Sequence, residues 1–185
     1  MTGNRATVDA RRRHFEAVFS EGYEPVQRYV RRRVDPDSVD DVVAETMLTV
    51  WRRIDDVPNA AVLPWVYGVA RRQIANHRRS ALRRLRLVRR VELEPIDLEG
   101  SEHPLDSELY DALGSLDDPD RELLQLWAWE QLEPTEIAVV LGITPNAVSI
   151  RLHRAKAKLG EKLEKSRKNE VLLGHSHRVR KEGGS

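Results

Sequence analysis

EPTEIAVVLGITPNAVSIRLHRAK, residues 133–156, is the stretch on which the reading of the whole chain turns. Ile137, Val140 and Leu141 give its first half an apolar helix face, and Ala138 is small where two helix backbones must come close. Gly142 stands where that helix has to stop, a position that favours left-handed backbone. Ile143 is the apolar plug of the turn, Thr144 can cap the next helix, and Pro145 suits its first position. Val148, Leu152, Ala155 and Leu159 then recur at helical spacing as a buried stripe. The spacing predicts a helix-turn-helix whose outer face carries Asn146, Ser149, Ile150, His153, Arg154 and Ala157. A helix of this kind lies in a major groove with its N-terminal residues on base edges. Arg154 suits guanine or phosphate, and Ile150 suits a thymine methyl. Lys156 and Lys158 suit backbone phosphates, which add affinity without sequence information. A purely structural helical hairpin shares the spacing; the glycine, plug, cap and basic far end together argue against it.

Outward from this motif, the charge pattern is segregated. The 185 residues carry 31 Lys+Arg against 30 Asp+Glu, a formal net charge of +1. Yet Arg71 to Val91 is rich in arginine and has no acid, Glu92 to Glu122 holds twelve acids against the single Arg121, and a second basic run spans Arg151 to Lys168. Like-charge blocks stay solvated or await a neutralising partner. Two basic blocks around an acidic one imply two polyanion-binding modules and a spacer. Pro95, Gly100 and Pro104 give that spacer linker composition. The expected organisation is a helical domain over 8–91, an acidic flexible linker over 92–105, a helix-turn-helix domain over 106–165 and a disordered tail over 166–185.

Everything outside the linker and tail reads as helix, so the fold class is all-α with two small domains. Val39, Val42, Val43, Thr46, Met47, Val50, Trp51 and Ile54 form one stripe over Ser38 to Ile54. Asp37 or Ser38 can cap that helix, and Asp40 and Asp41 suit the positive end of its dipole. Its other face carries Asp41, Glu45, Leu48 and Arg52. Helices are expected before it at Arg11–Phe19 and at Glu24–Arg33, with Pro25 in the first turn of the second, and another after it from about Pro64. Four such helices close a small bundle. In the second domain Leu109, Leu113 and Leu116 make one stripe, and Leu123, Leu124, Leu126, Trp127 and Trp129 lie on the next helix.

LPWVYGVARRQIANHRR, residues 63–79, is the second informative string. Val66, Ala70 and Ile74 point to the core, while Trp65, Gly68, Arg72, Asn76 and Arg79 share the opposite side. Aromatic rings beside cations are what single-stranded nucleic acid needs: bases stack on the rings and cations follow the phosphates. Trp65 and Tyr67 serve equally well as plain core residues on sequence grounds. Other classes are excluded or unsupported. There are no cysteines, which removes disulfides, thiolate metal sites and thiol nucleophiles. No apolar run approaches the ~18 residues of a bilayer span. The Arg-rich start has no secretory apolar segment, so the cytoplasm is the expected compartment. No nucleotide-binding glycine loop or convergent carboxylate set appears, and His175-Ser176-His177 falls short of a metal site. No cofactor, metal, small-molecule substrate or enzymatic activity is expected.

Three stretches now carry a family likeness: SVDDVVAETMLTVWRR at 38–53, PWVYGVARR at 64–72, and Glu136 through Ala155. In their order and spacing the chain resembles a bacterial RNA polymerase sigma factor of the extracytoplasmic-function group, over roughly Phe15 to Leu163. The resemblance implies that the first domain binds core RNA polymerase through Asp41, Glu45, Leu48 and Arg52. It implies that Trp65, Tyr67, Arg71, Arg72, Asn76 and Arg79 face the −10 element and its displaced strand. The second domain would read the −35 duplex through Asn146, Ser149, Ile150, His153, Arg154 and Lys158. Promoter DNA, core polymerase and an anti-sigma factor are the implied partners. Two departures stand out: Arg72 occupies a position where many relatives have Asn, and Trp127 one where some have a basic residue against the duplex. The competing reading is a stand-alone helix-turn-helix regulator that binds duplex DNA without polymerase.

Overall fold

The protein is described by a computed structural model over residues 2–88 and 104–179, with side-chain environments given for 7–84 and 108–168. The expected linker, apart from its last two residues, and the last six residues of the expected tail lie outside the described residues. Seven α-helices are described: α1 (Thr2–Arg31), α2 (Val39–Arg52), α3 (Val62–Val88), α4 (Pro104–Gly114), α5 (Asp118–Ala128), α6 (Pro134–Leu141) and α7 (Pro145–Val179). Short 3₁₀ turns at Pro36–Ser38 and Ile54–Asp56 flank α2.

The chain forms two compact units, one of Met1–Leu98 with Leu132–Pro145 and one of Glu99–Gln131 with Asn146–Ser185. In the first, α1, α2 and α3 pack pairwise and α6 packs on α3. Val18, Val26, Tyr29 and Val30 of α1, Val42, Val43, Met47 and Val50 of α2, and Val66, Val69, Ala70 and Ile74 of α3 are its buried stripes. Burying side chains of this size contributes ~1.5–3 kcal/mol each against the cost of ordering the backbone. The two helices expected before α2 are one. Pro25 lies inside α1, and the helix continues through it because Val18, Val26, Tyr29 and Val30 fall on a single stripe that only an unbroken helix can present to the core. The missing proline N–H costs less here than exposing that stripe would.

The start of α2 also differs from expectation. Ser38 is its N-cap residue but makes no side-chain cap bond. Its hydroxyl donates instead to Asp35, and this bond, outweighing partial desolvation and helped by the charge of His77, holds the Asp35 carboxyl below its ordinary range. The buried Thr46 hydroxyl is satisfied within the helix by donating to the Val42 carbonyl at 2.7 Å. Trp51, expected on the buried stripe, is 38% exposed and packs edge-on against Phe15 with ring centroids 5.2 Å apart.

The second unit buries Ala112, Leu113 and Leu116 of α4 and the turn after it, Leu123, Leu124 and Leu126 of α5, and Val148, Leu152 and Ala155 of α7. Arg167 on α7 lies 3.8 Å from Glu108 on α4. The expected tail is corrected over 166–179, where α7 runs on to Val179 without interruption. That segment includes Arg167, Lys168, Glu170, Leu172 and Leu173, which lose little rotamer freedom in a helix. Ile54, fully buried where the second 3₁₀ turn closes the α1–α2–α3 core, is a sensitive position. Ile54→Ala should lower the unfolding free energy by about 2–4 kcal/mol, measured by urea denaturation with the m-value unchanged.

Candidate nucleic-acid interface

The turn before α7 is built as its residue types demand. Glu133 and Glu136 form a reciprocal capping box at the start of α6, with Pro134 in the first helical position. At the other end Gly142 adopts φ 66°, ψ 38°. The N–H groups of Gly142 and Ile143 both donate to the Ala138 carbonyl, at 2.9 and 3.1 Å. These bonds satisfy a carbonyl that the helix end would otherwise leave open. Beyond the turn, Asn146, Ser149, Ile150, His153, Arg154 and Lys158 are all exposed on α7, opposite the buried Val148, Leu152 and Ala155. Ile150 is 46% exposed, an apolar side chain left in water at the centre of this face.

Acids of α5 act on this helix in a way the charge pattern alone did not disclose. The Lys158 ammonium bonds to the Asp120 carboxylate and lies 3.9 Å from that of Asp117. The hydrogen bond to Asp120, with the charges of both acids, raises the Lys158 pKa. A phosphate must therefore compete with two carboxylates for this cation. Trp127 is 42% exposed, and the Lys156 ammonium sits 3.4 Å from its ring centroid. The positive charge that Trp127 itself lacks is thus supplied from α7 by a cation–π contact.

In α3 the expected strand-facing residues divide. Arg71, Arg72, Asn76 and Arg79 are exposed. Trp65 is half-buried, with the Arg53 guanidinium 5.3 Å above its ring. Tyr67 is corrected: it is only 3% exposed, its ring 5.0 Å from that of Tyr29, while Arg33 covers Tyr29 at 3.7 Å. Tyr67 falls on the α1 side of the helix, so in this conformation it is a core aromatic rather than a stacking platform. Asn76 and Arg79 are held in place. Arg79 donates to the Asn76 side-chain oxygen at 2.7 Å, and Gln73, which accepts a long bond from Asn76, donates to the Thr49 hydroxyl at 2.9 Å. Thr49 in turn donates to the Glu45 carbonyl at 2.9 Å, so a line of polar contacts ties α3 to the outer face of α2.

On α2, Asp41, Glu45, Leu48 and Arg52 are exposed as expected. The structure adds their neighbours. Asp41 and Glu45 share a cleft of about 340 Å³ with Gln73, Asn76 and His77 of α3. Leu48 lines an apolar cleft of about 510 Å³ with Phe15, Met47 and Trp51. Phe15 belongs to a row of aromatics on α1, in which Phe15–Phe19 and Phe19–Tyr23 centroids are 5.8 and 4.9 Å apart. Their i, i+4 spacing was readable, but nothing in the sequence said that the row meets α2. Among the described residues no group of three His, Asp or Glu side chains is gathered as a metal ion requires.

Comparison with known proteins matches two family models in chain order, "Sigma-70 region 2" over residues 19–84 and "Sigma-70, region 4" over 106–159. The chain is 33% identical over 158 residues to the RNA polymerase sigma factor CarQ of Myxococcus xanthus, covering 80% of this chain and 88% of that one. It is 30% identical over 140 residues to the RNA polymerase sigma factor CnrH of Cupriavidus metallidurans, covering 68% and 73% of the two chains. The solved complex of CnrH with the cytosolic domain of CnrY aligns at TM-score 0.56 and 25% identity, over 83% of this chain and 90% of that chain. Sigma factor RpoE of Bartonella quintana, solved with the anti-sigma factor NepR, shares the fold at TM-score 0.64 and 18% identity, over 81% of this chain and 96% of that chain. The region 4 match includes α6, whose packing partner in the structure is α3.

A methyl group at Gly142 would meet nothing within 4 Å, so any cost of adding one is backbone strain alone. Gly142→Ala should destabilise the protein by about 1–2 kcal/mol through its left-handed backbone, seen as a lower thermal midpoint with the helical circular dichroism of the native state retained.

Proposed function

Because this chain belongs to the RNA polymerase sigma-70 family, in its extracytoplasmic-function group, and is a sigma factor, we propose how its surface divides the work of promoter recognition between its helices. The outer face of α2 docks on core polymerase. Asp41, Glu45 and Arg52 provide the charged rim, and Leu48, at the lip of the apolar cleft, provides the desolvated contact. The C-terminal part of α3 follows the displaced strand of the −10 element, with Arg71, Arg72 and Arg79 on phosphates and Asn76 on a base edge. Trp65 offers a ring for stacking once Arg53 swings aside. Arg72, in place of the Asn of many relatives, shifts base reading toward Asn76. The start of α7 reads the −35 duplex: Arg154, His153, Ser149 and Asn146 through hydrogen bonds, Ile150 through a methyl contact. Lys156, seated on Trp127, and Lys158 meet the phosphates.

This reading assigns residues 8–91 to polymerase binding and melting, 92–105 to a linker and 106–165 to −35 recognition. Melting follows from capture of unstacked bases and requires no hydrolysis, so the protein acts as an initiation factor rather than an enzyme. Among the described residues no single helix is long and apolar enough to cross a membrane, in keeping with work beside the nucleoid in the cytoplasm. Since CnrH and RpoE relatives were solved with CnrY and the anti-sigma factor NepR, an inhibitory protein partner is proposed here too, competing for the α2 face. The observation that carries the proposal is the exposure of a groove-reading set on α7 and a hydrogen-bonded Asn76–Arg79 set on α3 within one chain.

The test is reconstitution with sigma-free core polymerase and promoter DNA, where promoter-specific transcripts are expected. Tight operator binding in the absence of polymerase, without transcripts, would overturn the proposal. Arg154→Ala should weaken −35 recognition by about 1–3 kcal/mol, roughly 5- to 150-fold, and leave core binding intact; loss of both would mean that α7 is misassigned. Asp120→Asn, which releases Lys158, should steepen the slope of log binding constant against log salt by about one. An unchanged slope would remove Lys158 from the phosphate contacts.

A further inference from the structure

Between Asn146 and Ser166, helix α7 carries six lysines and arginines, and five of them share a flank. Arg151, Arg154, Lys158, Lys162 and Lys165 follow one another at steps of three, four, four and three, the spacing that stacks side chains along one side of a helix. Lys156 is the exception. It lies two residues from both Arg154 and Lys158, which turns it about 160° around the axis from each of them. Among the described residues of α7, the next cation on its flank is Arg167, which lies 3.8 Å from Glu108 of α4. Helix α5 touches both flanks. Its Asp120 carboxylate bonds to the Lys158 ammonium, with the Asp117 carboxylate 3.9 Å from the same nitrogen. Its Trp127 ring centroid lies 3.4 Å from the Lys156 ammonium. Asp120 and Trp127 stand about 10 Å apart along α5 at 1.5 Å per residue, and Leu123 and Leu124 between them are buried. Helix α5 thus passes beneath α7, with acids at one side of it and an aromatic ring at the other.

The two contacts act in opposite ways on a phosphate approaching α7. A carboxylate gives Lys158 the kind of partner a phosphate would be, and offsets its charge. An aromatic ring attracts a cation through its quadrupole and leaves the charge in place. Lys156 and Trp127 are both exposed, so the ammonium stays open to a further partner. A helix lying in the major groove has one phosphate backbone on each side of it. We propose that Trp127 is a positioning residue that presents Lys156 to the backbone on its own flank. The pair then makes the grip of α7 on one DNA strand, while Arg151 and its neighbours face the other strand. This deepens the −35 reading given above and rests on it. A free lysine gives up rotamer freedom when it settles on a phosphate; a ring that already orients it removes part of that loss beforehand. The crowded flank can lend Lys158 to Asp117 and Asp120 and still hold Arg151 and Lys162. The opposite flank has no second cation near Lys156, so the Trp127 contact decides whether that strand is held.

The test uses the full chain assembled with core polymerase on promoter DNA. Lys156→Gln should weaken promoter binding about three- to tenfold and flatten the slope of log binding constant against log salt by about one. Trp127→Ala should weaken binding several-fold in the parent and cause no further loss in the Lys156→Gln background. Trp127→Phe, which keeps an aromatic face, should retain most of the parent's binding. Neutral methylphosphonates placed along one strand of the −35 element at a time add a readout that a merely structural role would not move. One strand should lose its sensitivity to them in both Lys156→Gln and Trp127→Ala, while the sensitivity of the other strand stays as in the parent. Additive losses from the two substitutions would overturn the inference, and so would strand sensitivities that neither substitution changes. Trp127→Leu, which keeps an apolar cover without the ring, repeats the measurement should Trp127→Ala fold poorly. If Arg154→Ala also leaves promoter binding unchanged, the groove assignment of α7 fails and the inference with it. If Arg154→Ala alone weakens binding, that assignment stands and only the inference fails.

Discussion

The buried seam between α2 and α3 sets where every exposed functional side chain on the first unit points. Val42, Val43, Met47 and Val50 on one helix and Val66, Val69, Ala70 and Ile74 on the other must leave water together. A helix that commits one stripe to a core has no freedom left in where it aims the rest, because the period of 3.6 residues ties the two faces together. Asp41, Glu45, Leu48 and Arg52 are thereby turned outward on α2, and Arg72, Asn76 and Arg79 on α3. The line from the Glu45 carbonyl through Thr49, Gln73 and Asn76 to Arg79 crosses the top of that seam. The face read as polymerase-binding and the face read as strand-binding thus belong to one packed unit.

A second constraint is electrostatic. With 31 basic and 30 acidic residues, the molecule has no global field to concentrate it on nucleic acid. Attraction is local, and at Lys158 it is trimmed further by the carboxylates of Asp117 and Asp120, whereas Lys156 keeps its charge against the Trp127 ring. Such exposed pairs contribute little to stability. The pairing leaves Lys158 less free than the sequence suggests, and in the proposed reading discrimination would fall more heavily on Asn146, Ser149, Ile150, His153 and Arg154. A factor that must not settle on arbitrary DNA before joining its polymerase gains from this restraint.

Much of the molecule was legible from residue order. The stop at Gly142 and the helix start at Pro145 located the turn before α7, since left-handed backbone and helix ends are local matters decided by a few neighbouring residues. The stripes of α2, α3, α5 and α7 were equally readable from spacing. Errors arose where a local signal met a longer-range demand. Pro25 looked like a helix start, yet the Val18–Val30 stripe kept α1 whole. Ser38 looked like a cap, yet its hydroxyl went to Asp35. Trp51 fitted the apolar stripe, yet at the edge of the α1–α2 contact it stays partly in water against Phe15.

The sequence by itself therefore determined the all-helical character, the turn before α7 and most of the outward residues, because those follow from backbone chemistry and periodicity within a few turns. Only the tertiary structure decided which aromatics are available and which glycine matters. Tyr67 is withdrawn into the core beside Tyr29, Trp65 stays at the surface under Arg53, and Gly68 proves to be the crossing point of α3 and α6. These outcomes depend on which helices meet and how closely their backbones approach, and residues on different helices leave no periodic trace of that meeting.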